Sequence, residues 1–151
     1  MLIILKFFNF VKDNNNIYDY TRWSAGEYDY MNITTQYGTV NISERFSTIG
    51  EKCILFKQAN PANYGYFYFD STTTLTSGNN YTVSFDCYSP DASFVLQVRQ
   101  DGELSRVTIP KSSQIQEISL SFTANQSSKW RVQLFNNTSD SRIFIDNISC
   151  T

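Results

Sequence analysis

The chain has 151 residues, a length that fits one domain with room for a real core. It carries 12 Lys and Arg against 14 Asp and Glu, a net charge of −2 with the charges scattered, so it lacks the basic stripe of a nucleic-acid partner. There is no histidine, which removes the commonest general base and metal ligand and any His-containing triad.

Aromatic residues make up 16% of the chain, and with many Thr, Ser and Asn they favour strands and turns over helices. The apolar opening Met1-Leu-Ile-Ile-Leu5 is broken by Lys6 and is too short for a signal-peptide core or a membrane span, so it reads as a first strand, and no membrane insertion is expected. Next comes an aromatic cluster of Trp23, Tyr28 and Tyr30, which reads as a hydrophobic plug or as the edge of a cleft. From there the apolar period is two almost throughout. Thr39–Ser43 alternates. In Tyr64-Gly-Tyr-Phe-Tyr-Phe69, Tyr64, Tyr66 and Tyr68 share one strand face, and Phe67 and Phe69 share the other. Tyr81, Val83, Phe85 and Cys87 line one face of the next strand, leaving Asp86 and Tyr88 outward. Phe94, Leu96 and Val98 form a further set, which turns Gln97 and Arg99 outward. Ile118, Leu120 and Phe122 form another. With Trp130, Val132 and Leu134 inside, Arg131 and Gln133 point out. The closing Ile143-Phe-Ile-Asp-Asn-Ile-Ser149 places Ile143 and Ile145 on one face and Phe144 on the other.

Turn-forming stretches separate these runs: Ser77–Asn80, Ser89–Asp91, Asn125–Ser128, Asn136–Asp140 and Asp101-Gly102, a strong hairpin signal. No sustained helical period, linker or repeat interrupts the pattern. The expectation is one all-β domain over residues 1–151, a two-sheet antiparallel β-sandwich with one face of each sheet free.

Cys53, Cys87 and Cys150 match no zinc or CxxC spacing; they read as small buried core residues, or as one disulfide and one free thiol. No nucleophile elbow, phosphate-binding loop or glycine-rich dinucleotide fingerprint occurs, and the acids are not paired by spacing, so no enzymatic activity is expected.

The chemistry lies instead on outward strand faces. Tyrosine rings suit the C–H faces of sugars, while amides and guanidinium groups hydrogen-bond their hydroxyls. The candidate ligand-binding residues are therefore Tyr64, Tyr66, Tyr68 and Tyr88 for stacking, with Gln97, Arg99 and Gln133 for hydrogen bonding. The same residues also suit an ordinary solvated face. Asp146, set between Ile145 and Ile148, needs a partner: either a cation, calcium being the match for hard oxygen ligands, or backbone N–H groups at a strand irregularity.

Three ordered stretches resemble the carbohydrate-binding modules of the CBM4/9/22 type. Leu75-Thr-Ser-Gly-Asn-Asn-Tyr-Thr-Val-Ser-Phe-Asp86 is similar to the family's Gly-x-x-Tyr-x-x-Ser-Phe turn and strand. Ile118-Ser-Leu-Ser-Phe-Thr-Ala124, followed by Trp130-Arg-Val-Gln-Leu-Phe135, is similar to its paired late strands. The closing Asp146-Asn147 strand is similar to its last. The resemblance implies a galactose-binding-like jelly roll, a concave sheet that often binds glycans, and often a structural calcium near the closing Asp, here Asp146. The N-terminal half departs: where the family carries an Asn-Gly-x-Phe-Glu segment, this chain has Phe7-Phe-Asn-Phe10 running into Asn14-Asn-Asn16.

The expectation is thus a non-catalytic module that recognises a polysaccharide or cell-surface glycan, working extracellularly or on a virion surface. The rival is a structural virion protein, a phage head decoration or fibre domain, meeting copies of itself or capsid and tail proteins. A hydrolase on the same fold would need two acids close together on the concave face.

Overall fold

The computed structural model describes residues 33–36, 38–43, 45, 46, 48, 52–59, 65–70 and 74–151. The expected strand at Met1–Leu5, the Trp23 cluster and Tyr64 lie outside the described residues. Ten strands are described: β1 (Ile33–Gln36), β2 (Gly38–Ser43), β3 (Cys53–Gln58), β4 (Gly65–Asp70), β5 (Asn80–Tyr88), β6 (Phe94–Gln100), β7 (Gly102–Ile109), β8 (Gln116–Thr123), β9 (Arg131–Asn136) and β10 (Arg142–Cys150). They form two five-stranded sheets, one in the order β1-β4-β9-β6-β7 and one in the order β2-β3-β10-β5-β8. Every pairing is antiparallel. The expected all-β sandwich is the observed fold, and no helix among the described residues is long and apolar enough to cross a membrane.

Period-two alternation produces the two layers. In β5, Val83, Phe85 and Cys87 are buried, while Ser84, Asp86 and Tyr88 are half-buried on the outer side. Inward residues of both sheets, among them Ile54, Phe56, Phe85, Leu96, Val98, Val132, Leu134 and Ile143, form one core. Opposite the core face, β5 and β8 are tied by a hydroxyl ladder, Thr82–Ser121 at 3.0 Å and Ser84–Ser119 at 2.9 Å.

Buried polar groups fasten the layers where apolar contact alone would leave freedom to slide. From β3, Gln58 Nε2 donates to the Asn136 carbonyl of β9 in the facing sheet at 3.0 Å, and Asn136 Nδ2 donates to Ser141 Oγ at 2.8 Å. At the Ser89–Asp91 turn, Arg142 grips both Asp91 oxygens through Nε at 2.7 Å and Nη2 at 3.1 Å. That grip holds the Asp91 carboxyl below the usual range. Gly102 turns the β6–β7 hairpin at φ 81°, a backbone conformation that side chains disfavour, as the Asp-Gly signal anticipates.

All three cysteines are free and buried, which favours the reading as core residues over a disulfide. Burial pushes Cys53 up to about 11, with the Asp146 charge adding to it. Cys87 is pushed up to about 12 by burial and then by Asp86, and Cys150 to about 12 by burial. Because the folded values lie above the ordinary 9.0, the fold favours the protonated thiols: their contribution is complete below pH 9.0 and is lost as pH rises toward 12. A thiol reagent in mildly alkaline buffer should label none of the three in the native protein and all three after unfolding. Rapid labelling of the native protein would refute that burial.

Candidate functional site

The outer face of the β1-β4-β9-β6-β7 sheet is assembled by parity. Phe94, Leu96 and Val98 of β6 enter the core, so Val95, Gln97 and Arg99 face out. Val132 and Leu134 of β9 do the same for Arg131, Gln133 and Phe135. Register then lines these up across the sheet. One row runs Thr34, Tyr68, Gln133, Gln97 and Arg106 from β1 to β7. The row on one side of it is Gln36, Tyr66, Phe135, Val95 and Thr108. On the other side, Asp70, Arg131, Arg99 and Glu103 follow one another. Four sequence candidates, Tyr68, Gln97, Arg99 and Gln133, thus share two adjacent rows, and Tyr66 stands in the third.

The side chains then change the roles assigned to them. Arg131 lays its guanidinium carbon 3.6 Å from the centroid of the Tyr68 ring. One face of Tyr68 is therefore occupied, and the ring supports a cation where an open stacking platform was expected. Gln97 is buried, and its Nε2 donates to Glu103 Oε2 at 2.7 Å. Arg106 donates to both oxygens of Glu103, each at 2.6 Å. This grip, with Arg99 and Gln97 adding to it, holds the Glu103 carboxyl below its usual range. Glu103 and Arg106 were not legible because β7 carries an irregularity: the register shifts between Val98 and Arg99, so Ser105 faces Val98 while Glu103 faces Arg99.

At one end of this face lies an open depression of about 360 Å³, lined by Arg99, Gln100, Lys129, Trp130 and Arg131. Gln100 is the staple behind it. Its Nε2 donates to the carbonyls of Gln126 and Ser128, both at 3.1 Å, and its Oε1 accepts the Asn125 amide at 3.0 Å. These bonds hold the 124–129 turn against the end of β6 and carry Lys129 to the rim. Trp130, buried and packed on Phe122 with ring centroids 5.4 Å apart, gives an apolar floor.

Tyr88 requires a correction. It lies on β5 of the other sheet, so it cannot stack a ligand held over Tyr66 and Tyr68. Parity gave its outward direction, but strand order was not readable from sequence. Phe46 packs on it with centroids 4.1 Å apart, and Phe144 closes a trio at 4.8 Å from Phe46.

Asp146 lies beside that trio. It is buried, directly across from Asp86, at the point where the β10–β5 register slips and Asn147 takes φ 52°. The Thr48 amide donates to its Oδ2 at 2.6 Å and the Asn147 amide to its Oδ1 at 2.8 Å. The Thr48 hydroxyl donates to Asp86 Oδ2 at 2.6 Å. These are the hydrogen-bond partners expected at a strand irregularity. The donor chemistry of Asp86, Asp146 and Thr48 suits a hard cation, yet both Asp146 oxygens face N–H groups. Among the described residues no group of three or more Asp, Glu, Cys or His could hold a metal.

No family model and no curated protein matches this sequence. Similarity appears at the level of solved structures. A module described as TmCBM61 in complex with beta-1,4-galactotriose aligns with a TM-score of 0.64 and 13% identity, over 95% of this chain and 97% of that one. The CBM22-1–GH10 modules of a Clostridium thermocellum xylanase 10B, complexed with xylohexaose, align at 0.63 and 13% identity, over 82% of this chain and 26% of that one. The enzymatically active domain of bacteriophage CBA120 tailspike protein 4 aligns at 0.69 and 8% identity, covering 90% of this chain. This chain spans only 21% of that tailspike chain. At these identities the likeness speaks for architecture alone: the fold is a two-sheet jelly-roll β-sandwich, like that of these carbohydrate-binding modules.

Proposed function

We propose that this chain is a non-catalytic carbohydrate-binding domain that takes a glycan on the outer face of the β1-β4-β9-β6-β7 sheet. The observation that carries the reading is the meeting of Tyr68, Arg131, Gln133 and Arg99 on adjacent register rows, next to an open depression floored by Trp130. Gln133 is half-buried at the middle of its row, where its amide can both donate to and accept from a sugar hydroxyl. Arg131 adds rigid donors, already oriented by the Tyr68 ring. Such a domain would work outside a cell or on a virion surface, where polysaccharides and cell-surface glycans are met. A virion structural role, with the tyrosine stripe as a subunit contact, has less support, because the phage tailspike it would draw on is matched over only 21% of its chain.

The test is a glycan array, with titration of any polymer that binds. The wild type should retain at least one polysaccharide. Gln133→Ala and Arg131→Ala should each weaken it by about tenfold, the equivalent of about 1.4 kcal/mol. Failure of the wild type to bind any glycan, or full affinity in both variants, would overturn the reading.

A further inference from the structure

We infer that the ligand of this face is an acidic glycan, whose anionic group is held in the depression between Arg99, Lys129 and Arg131. The inference rests on the glycan-binding reading and narrows its ligand class.

The chain as a whole carries a charge of −2, yet three of the five residues lining the depression are cationic and none is acidic. Two of them are forced together. Arg99 and Arg131 are direct cross-strand partners of β6 and β9, and like charges directly opposite one another destabilise a sheet. On the Arg99 side, the neighbouring acid does not undo this. Glu103, opposite Arg99, has both oxygens engaged by Arg106 and one also by Gln97. It attracts Arg99 electrostatically, but among the described residues Arg99 makes no hydrogen bond or ion pair. Lys129 then adds a third cation from the turn that Gln100 staples in place. A fold that builds a turn to bring a lysine beside two opposed arginines has a place for an anion, whose arrival turns the mutual repulsion into shared attraction.

With a glycan on this face, the anion is one carried on a sugar. The depression is open, and its Arg99–Arg131 pair stands one register row from Gln133, so a polymer lying along the face can lower one substituent into it. A guanidinium matches the planar, two-oxygen edge of a carboxylate, and Lys129 contributes a point charge that serves a carboxylate or a sulfate ester equally.

Two matched polymer pairs separate these sources: polygalacturonate against its methyl ester, and a sulfated galactan against the same galactan desulfated. Affinity is measured by calorimetry at about 20 mM and about 200 mM NaCl, a span over which screening grows markedly. At least one acidic polymer should bind tenfold or more tightly than its neutral partner, and the preference should shrink at the higher salt. The pair that shows the preference identifies carboxylate or sulfate. Arg99→Gln and Lys129→Gln should each reduce the preference by at least threefold, and Lys129→Gln should leave the neutral polymer's affinity within twofold. Arg99→Gln should melt no lower than the wild type, because it removes a like charge opposite Arg131. Lys129→Gln lies on an exposed turn and keeps the test valid even if Arg99→Gln misfolds. Equal binding of acidic and neutral polymers, or a preference that survives both variants, overturns this inference and leaves the glycan-binding reading standing. Absence of binding to every glycan removes that reading, and this inference with it.

Discussion

Phe56→Ala is expected to lower the free energy of unfolding by about 3–5 kcal/mol. Phe56 is fully buried on β3 and meets Phe94 of the facing sheet edge-on, with centroids 6.1 Å apart and planes at 75°. It therefore bridges the two layers. Alanine would leave a void between rigid sheets whose spacing is fixed by the other inward residues, so collapse around it would be incomplete. The ring also explains the glycine that opens β2. A Cβ at Gly38 would stand 2.5 Å from Phe56 Cε2 and 2.6 Å from the Lys57 carbonyl oxygen, so only a residue without a side chain admits the ring at that edge. For a domain of this size the loss corresponds to a fall in melting temperature of about 10 °C. Thermal unfolding followed by circular dichroism measures it. A fall of less than about 3 °C would mean that the layers are not joined through this ring.

That bridge also marks what the sequence can and cannot disclose. Alternation in Tyr81–Tyr88, Phe94–Val98, Trp130–Leu134 and Ile143–Ile145 reveals which side chains face the core, because each strand has one buried face and the signal lies within a few residues. The outward direction of Gln97, Arg99 and Gln133 follows from the same alternation. Strand order does not. Tyr88 and Gln97 are both outward and only nine positions apart in the chain, yet β5 and β6 belong to different sheets, and nothing local records the crossover. Register irregularities are equally silent: the slip between Val98 and Arg99 is what puts Glu103 beside Arg99 and commits Gln97. Arg131 was visible as an outward residue. Its seat on Tyr68 depends on β4 and β9 being neighbours, a pairing of strands far apart in sequence. Hence the two halves of the candidate face were legible as directions and not as a place.

The deepest case of that kind is Asp146, whose partner Thr48 is 98 residues away. Asp146→Ala should cost about 3 kcal/mol, since it leaves two backbone N–H groups, those of Thr48 and Asn147, without their carboxylate acceptor in a buried place. The loss has a structural sequel. Thr48 is half-buried and tied to both strands, to Asp146 through its amide and to Asp86 through its hydroxyl. Phe46, two residues earlier, holds a left-handed φ of 60° while wedged against Tyr88 and Phe144. A bulky side chain in that conformation is strained, and it persists only while its neighbours hold it. Releasing Thr48 removes one of those holds, so Phe46 should leave the trio and expose Tyr88 and Phe144. The near-ultraviolet circular dichroism of Asp146→Ala should therefore weaken well below its melting temperature, while the far-ultraviolet signal of the two sheets persists. Asp146→Asn separates charge from hydrogen bonding. Its amide keeps one acceptor oxygen and relieves the repulsion with Asp86 across the strand pair, so it should lose about half as much stability as the alanine variant. Wild-type stability in Asp146→Ala would show that the carboxylate is not what anchors Thr48. A melting temperature that rises on adding calcium to the wild type, and not to Asp146→Asn, would show that a cation shares the Asp86–Asp146 pair with that amide.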